Sequence, residues 1–197
     1  MVRRTQAQRS DATTSLLITT AQELFGRDGY AGTSIEAIAA AAGLTKGAAY
    51  HHFQGKAALL RAVFVREQEE ISAELERVAA GEPDAWSALR RGVRTFLERC
   101  LDPGFRRIVL LDGPAVLGWD IVRAIEYEHV LRVLSGGIAA VAAEGDGGGG
   151  AVAARAQLMF GALCEAGMLL ARSDDPEAAF PTMLAEAERL LNTAAQA

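Results

Sequence analysis

The stretch Thr33-Ser34-Ile35-Glu36-Ala37-Ile38-Ala39-Ala40-Ala41-Ala42-Gly43-Leu44-Thr45-Lys46-Gly47-Ala48-Ala49-Tyr50-His51-His52-Phe53 decides how this chain folds. Thr33 to Glu36 sets a hydroxyl and a carboxylate three residues apart ahead of an apolar run, the pattern of a capping box. Ile35, Ile38, Ala39 and Ala42 then share one helical face, and Gly43 stops the helix. Thr45 can cap a second short helix running from Lys46 to Phe53. Gly43 tolerates the positive φ that a tight turn between helices needs. Ala39, four residues earlier, is small enough for a close crossing, and Leu44 plugs the gap beneath the turn. Ile35, Ile38, Ala49 and Phe53 supply a shared core. Two short helices so joined under a preceding helix predict a helix-turn-helix. Its second helix presents Thr45, Lys46, Gly47, Ala48, Tyr50 and His51 outward.

Outward from this unit, every segment long enough to judge reads as helix, and no run alternates at strand spacing. Upstream, Leu16, Leu17, Ile18, Ala21, Leu24 and Phe25 recur at helical spacing until Gly29. Downstream, Gln54-Gly55 breaks the chain and Lys56 opens a long amphipathic helix that closes at Gly81-Glu82-Pro83. Beyond it the expectation is a helix to about Leu101, a short one over Phe105 to Leu111 ended by Asp112-Gly113-Pro114, and a long one from Trp119 to Ala143. The glycine run 145–150 reads as a loop, and helices follow over Val152 to Arg172 and Glu177 to Ala195. The fold is therefore expected to be all-α, with about nine helices. A helix-turn-helix head (residues 1–66, core about 11–56) is joined to a larger helical bundle (residues 67–197). The joint lies inside the long helix near Arg66, with no linker.

The chain has 197 residues, half of them hydrophobic and 23% charged, enough to bury a real core. Its formal charge of −5 taken alone argues against a nucleic-acid partner. Resolved along the chain, residues 1–66 carry eight bases and four acids, a charge of +4, which leaves −9 on the remainder. Lys46 and Lys56 are the only lysines in the chain, against eighteen arginines, and both fall in or beside the helix-turn-helix. In such a unit the second helix enters the major groove of double-stranded DNA. Lys46 can donate to guanine O6 and N7, and the Ala48 methyl can meet a thymine methyl. Thr33, Ser34, Tyr50, His51 and Lys56 sit where phosphates would pass. If two such heads bind together, five such contacts on each imply a log–log salt slope of about −9. Arg3, Arg4 and Arg9 could form an arm for the minor groove.

The run Ala21-Gln22-Glu23-Leu24-Phe25, Gly29-Tyr30, Thr33-Ser34-Ile35, Ile38-Ala39, Ala42-Gly43-Leu44-Thr45-Lys46-Gly47, Tyr50-His51-His52-Phe53 and Lys56-Ala57-Ala58-Leu59-Leu60 resembles the N-terminal domain of TetR-family (TetR/AcrR) transcriptional regulators. The resemblance covers about Thr13 to Val63. One departure is Ala49, where the family usually carries Leu or Ile. Asp112 to Trp119 resembles a signature of one subset of these regulators. The resemblance implies a homodimer paired through its last two helices, with two reading helices in successive major grooves. It also implies a repressor whose C-terminal domain binds a small effector that lowers operator affinity.

Phe96, Trp119, Arg123, Tyr127 and Phe160 are the expected effector-binding residues, in an apolar pocket with few polar handles suited to a hydrophobic or aromatic ligand. Small residues on the Val152 to Arg172 helix (Ala154, Gly161, Ala162, Ala166, Gly167), and Leu184, Ala187, Leu190 and Leu191 after it, are the candidates for the dimer contact. Neither catalysis, a metal nor a cofactor is expected. Glu126 and His129 form a single Glu-x-x-His without the second copy that a di-iron bundle needs. The glycine run matches G-x-G-x-x-G, but no strand precedes it. Cys100 and Cys164 lack metal spacing and could act as a thiol sensor, an alternative signal alongside a protein partner. No apolar run reaches membrane-span length and no secretory leader is visible, so a cytoplasmic location is expected.

Overall fold

The structure, a computed structural model, describes residues 6–144 and 152–196. The all-α architecture holds. Helix α1 spans Gln6–Gly32 and breaks at Gly29, where φ is 77° and ψ 165°. It buries Leu17, Ala21 and Phe25. Helices α2 (Ile35–Ala41) and α3 (Lys46–His52) follow, joined by a turn in which Gly43 adopts φ 68° and Leu44 N donates to Ala39 O at 2.8 Å. Ile35, Ile38, Ala39 and Ala49 are buried in the shared core, with Phe53 at its edge.

The capping box does not form. Ser34 is the N-cap of α2, its Oγ accepting from Ala37 N at 3.1 Å. Thr33 is buried, and its hydroxyl donates to Gly29 O at 2.8 Å, which satisfies a carbonyl left free by the break in α1. Glu36 reaches across to α3 instead. Thr45 caps α3 as expected, accepting from Ala48 N at 3.1 Å.

Gly55, with φ 123°, admits the chain to α4 (Lys56–Ala79), which runs unbroken from head to body. It buries Leu59, Leu60, Val63 and Phe64 in its first half and Ile71 and Leu75 in its second. Helix α5 (Ala85–Arg99) starts at Asp84, whose carboxylate accepts from Ser87 N at 2.8 Å.

Two expected helix boundaries are corrected. Asp112-Gly113-Pro114 does not end a helix: α6 (Pro103–Phe105), a π-helical stretch (Arg106–Asp112) and α7 (Gly113–Leu117) run on one from another. Pro114 lies in the first turn of α7, where no intrahelical N–H is lost. Gly113 has ordinary helical angles, and its lack of a side chain answers crowding: a Cβ there would lie 2.7 Å from the Phe64 ring. The single helix expected from Trp119 to Ala143 is divided at His129 (φ −115°, ψ −90°) into α8 (Trp119–Glu128) and α9 (Val130–Glu144). The two halves share α4 but otherwise differ in their neighbours, α8 packing on α7 while α9 packs on α5 and α10. Helices α10 (Val152–Arg172) and α11 (Pro176–Gln196) complete the bundle. The glycine run 145–150, Arg3 and Arg4 lie outside the described residues.

Head and body are joined by more than α4. A Cβ on Gly26 would lie 3.1 Å from Gly104 Cα, so α1 and α6 meet backbone to backbone. Tyr30 N donates to the Asp112 carboxylate at 2.7 Å, and Arg107 donates to Arg27 O at 2.5 Å. Between α1, α4 and α5, the buried Glu67 carboxylate accepts from Gln22 Nε2 at 2.8 Å and from Arg99 at 3.1 Å. Burial pushes the Glu67 carboxyl upward against the pull of those two partners.

Candidate nucleic-acid interface and effector cavity

Helix α3 exposes Thr45, Lys46, Gly47, Tyr50 and His51, with Ala48 half-buried and Ala49 turned wholly inward. Tyr50 is 45% exposed although large and aromatic, an arrangement that suits an aromatic group reserved for a partner. Glu36 organises this face from α2. Lys46 Nζ pairs with Glu36 Oε1 at 2.8 Å, and Tyr50 Oη donates to the same oxygen at 3.3 Å. The hydrogen bond from Lys46 holds the Glu36 carboxyl below its ordinary range, and the reverse effect raises the Lys46 ammonium. Glu36 was not legible as part of the site, because its place two residues after a hydroxyl pair suggested capping. The ion pair means that any other partner of the Lys46 ammonium on this face competes with the Glu36 carboxylate.

Ser34 lies exposed at the start of α2. Two other residues expected at phosphates are engaged internally. The Thr33 hydroxyl faces Gly29 O and not solvent. Lys56 Nζ donates to Tyr30 O and Thr33 O, both at 2.8 Å, and lies 4.1 Å from the centre of the Tyr30 ring. An ammonium has three donors, so two are already committed to the carbonyls between α1 and α2. Lys56 therefore fixes the reading unit on α4. His52 bonds Thr14 Oγ1 at 3.0 Å through Nδ1 and ties α3 to α1. Arg9 lies within α1.

The body holds a cavity of about 230 Å³ between α4, α5, α7, α8, the start of α9, α10 and the π-helical stretch. Phe96 and Phe160 are buried in its wall, with Val109, Leu110, Val122 and Val130. Trp119 stands 60% exposed at its rim. Tyr127 does not line it: it is 47% exposed, because the inward face of α8 is made by Val122, Ile125 and Glu126 and Tyr127 lies off that face. A second apolar cavity of about 70 Å³ adjoins, sharing Phe96, Val130 and Phe160 with the first.

The polar equipment of the larger cavity is compact. Arg123 lies 4.1 Å from the Trp119 ring centre and 5.2 Å from that of Phe160, a flat cation between two aromatic faces. It donates to Glu126 Oε2 at 3.1 Å and approaches Cys164 Sγ at 3.6 Å. Burial pushes the Glu126 carboxyl from its ordinary 4.5 up to about 7, outweighing the pull of Arg123. The folded protein then holds more protons than the unfolded chain between those values. Stability is expected to fall as pH rises from about 4.5 to about 7 and to level above, with this carboxyl contributing on the order of 1–3 kcal/mol. Thermal unfolding across that range checks this, because Glu126→Gln should flatten the decline; an unchanged profile would refute the assignment.

Gln68 is the cavity residue that the sequence did not disclose. It is 2% exposed and lines the cavity, with no hydrogen-bond partner for Oε1. A signal was present: Leu60, Phe64, Gln68 and Ser72 recur every four residues, so a polar amide stands on the buried face of α4. Cys100 and Cys164 are free, and burial raises both thiols, that of Cys164 to about 12. Thiolates are correspondingly scarce, which disfavours redox sensing. Among the described residues, no group of three or more His, Cys, Asp or Glu side chains converges to hold a metal, and no helix is long and apolar enough to cross a membrane.

The candidate dimer residues divide in two. Ala166, Gly167, Leu184, Ala187 and Leu191 are buried within the chain. Leu190 is exposed, as are Leu158 (77%) and Leu169 on α10, with the half-buried Gly161 and Ala162 between those two leucines.

Comparison with known proteins agrees with this architecture. Residues 17–63 match the family described as "Bacterial regulatory proteins, tetR family", and residues 86–194 match "Tetracyclin repressor-like, C-terminal domain". The Transposon Tn10 TetC protein of Escherichia coli is 30% identical over 125 residues, covering 64% of this chain and 63% of that protein. The HTH-type transcriptional regulator CymR of Pseudomonas putida is 33% identical over 128 residues, covering 63% of each. The chain thus spans just under two thirds of the length of these curated relatives. The crystal structure of a TetR-family transcriptional regulator from Pectobacterium atrosepticum superposes with a TM-score of 0.83 at 34% identity, covering 95% of this chain and 96% of that one. The chain belongs to the TetR family of bacterial regulatory proteins.

Proposed function

We propose that this chain is a cytoplasmic DNA-binding transcriptional repressor, acting as a homodimer and released from its operator by a small hydrophobic or aromatic effector. Residues 1–66 serve as the reading head and residues 67–197 as the effector-binding and dimerising body. Thr45, Lys46, Gly47, Ala48, Tyr50 and His51 meet the DNA, with Ser34 and Lys56 beside phosphates and Thr33 holding the turn that positions them. Phe96, Trp119, Arg123 and Phe160 surround the effector. Leu158, Leu169 and Leu190 pack against a second copy. No catalytic residue and no cofactor is assigned.

One observation carries this reading: α4 is a single rod whose first residue holds the reading unit and whose middle lines the cavity. A ligand that fits one position of α4 better than another shifts the head by the same difference in binding free energy. The test begins with an operator selected from randomised duplexes. Lys46→Ala should weaken binding to it and relax its sequence preference, while Lys56→Ala should weaken selected and random DNA alike. Equal losses for both variants on both kinds of DNA would defeat this division of labour. Failure to select any preferred duplex would defeat the regulator reading itself.

A further inference from the structure

Three features of the body cavity bear on what it accepts. First, the half-buried cation on its wall is already paired, Arg123 and Glu126 facing each other at 3.1 Å, while the other charged lining residues, Glu165 and Arg172, stand exposed at its rim. Above about pH 7, where Glu126 is ionised, an anionic ligand reaching Arg123 would have to displace that carboxylate or bury a second negative charge beside it, and either is costly in this apolar surrounding. Second, the Gln68 amide is the buried polar group on the cavity wall left without a partner for its carbonyl oxygen. Buried polar groups of native proteins are almost always satisfied, and one that is not calls for an occupant. The terminal torsion of a glutamine is soft, so the amide can turn its oxygen to the cavity at little cost. Third, the adjoining cavity of about 70 Å³ is lined by apolar side chains, including Leu75, Leu89, Val93 and Leu134, and lies behind Phe96 and Phe160.

We propose that the ligand of this cavity is a neutral, mainly apolar molecule bearing a hydroxyl that donates to the side-chain carbonyl of Gln68, with its apolar part toward Phe96 and Phe160. The inference rests on the effector reading above and narrows it to a chemical class. Gln68 is also placed to transmit occupancy. Its chain neighbour Glu67 holds Gln22 of α1 and Arg99 of α5, so adjacent residues of α4 face the ligand and the head. Gln68 acts here as a specificity residue.

Three probes differing at one group test the proposal by titration calorimetry on the full chain: 2-naphthol, 2-methoxynaphthalene and 2-naphthoate. The naphthol should bind about tenfold more tightly than the methyl ether, which leaves the Gln68 oxygen unpaired. It should also exceed the naphthoate. In Gln68→Leu, a change of similar volume, the preference for naphthol over its ether should vanish while the ether binds at least as well as to the unaltered protein. The thermal midpoint of ligand-free Gln68→Leu should rise, because an orphaned polar group has been removed; this separates lost recognition from lost folding. Equal binding of naphthol and ether, tightest binding of the naphthoate, or no binding by the naphthol would each overturn the proposal. If the ether or the naphthoate binds at least as tightly as the naphthol and weakens operator binding, the hydroxyl claim fails while the effector reading stands. If no compound in a wider thermal-shift screen responds, the effector reading fails as well.

Discussion

Operator affinity is expected to fall about 150-fold as monovalent salt rises from about 50 to about 200 mM, a log–log slope near −3.6. The figure takes two lysines from each copy of a dimer, Lys46 and also Lys56, whose ammonium keeps one donor beyond those committed to Tyr30 O and Thr33 O. Only groups that neutralise phosphate charge release condensed counterions, so Ser34, Tyr50 and His51 add hydrogen bonds without adding slope. Thr33 is withdrawn into the head by Gly29 O. The value of about −9 implied by five phosphate contacts per subunit is therefore too steep for the lysines alone. Lys46 enters this count only when DNA displaces Glu36, and Glu36→Gln should accordingly strengthen binding at low salt. Operator titrations at four or five salt concentrations measure the slope directly. A slope shallower than about −2 would remove both lysines from the interface. One near −9 would show that further cations, the arm arginines among them, engage the backbone.

Gly113→Val is expected to be the most damaging single substitution away from the DNA face, lowering stability by about 3 kcal/mol or more. A Cβ at this position would stand 2.7 Å from two atoms of the Phe64 ring and 2.8 Å from Ile108 O. Phe64 is fully buried at the centre of α4, and Ile108 O belongs to the backbone of the π-helical stretch, so neither can yield cheaply. The expected lowering of the thermal midpoint is about 6–12 °C for a chain of this size. Gly43→Ala provides the contrast. Nothing lies within 4 Å of a Cβ there, so only the positive φ is strained, at a cost of about 1–2 kcal/mol. If Gly113→Val proved no worse than Gly43→Ala, the close packing of α7 on Phe64 would not be what the geometry indicates.

The head was largely legible in the sequence because its decisive features are local. Gly43, Ala39 and Leu44 act within one turn, and the apolar spacing of α1 through α4 needs no long-range information. What escaped was set by backbone breaks and by contacts that helical periodicity does not encode. Thr33 and Ser34 are adjacent hydroxyls, and only the break at Gly29 determines which turns inward. Lys56 looked like a free cation until the two carbonyls between α1 and α2 were placed above it. In the body, the aromatic character of Tyr127 pointed to the pocket, but the inward face of α8 is Val122, Ile125 and Glu126, so the wall has Glu126 in its place. Gln68 had a readable signal in its four-residue spacing, but a glutamine within a run of glutamates reads first as solvated surface.

The joint between α1 and the segment from Asp102 to Asp112 bears on how such regulators can be recombined. Cutting within α4 and grafting the head onto a foreign body would leave Gly26 without the bare backbone of Gly104 against it. The Tyr30 amide would lose the Asp112 carboxylate, and the Arg27 carbonyl would lose Arg107. A transplant that preserves the head's bearing on the body must therefore carry residues 102–113 with it, although they lie far away in the chain. The exchangeable cassette is discontinuous, and swaps drawn at one cut point would yield hybrids whose head no longer keeps its bearing on the body.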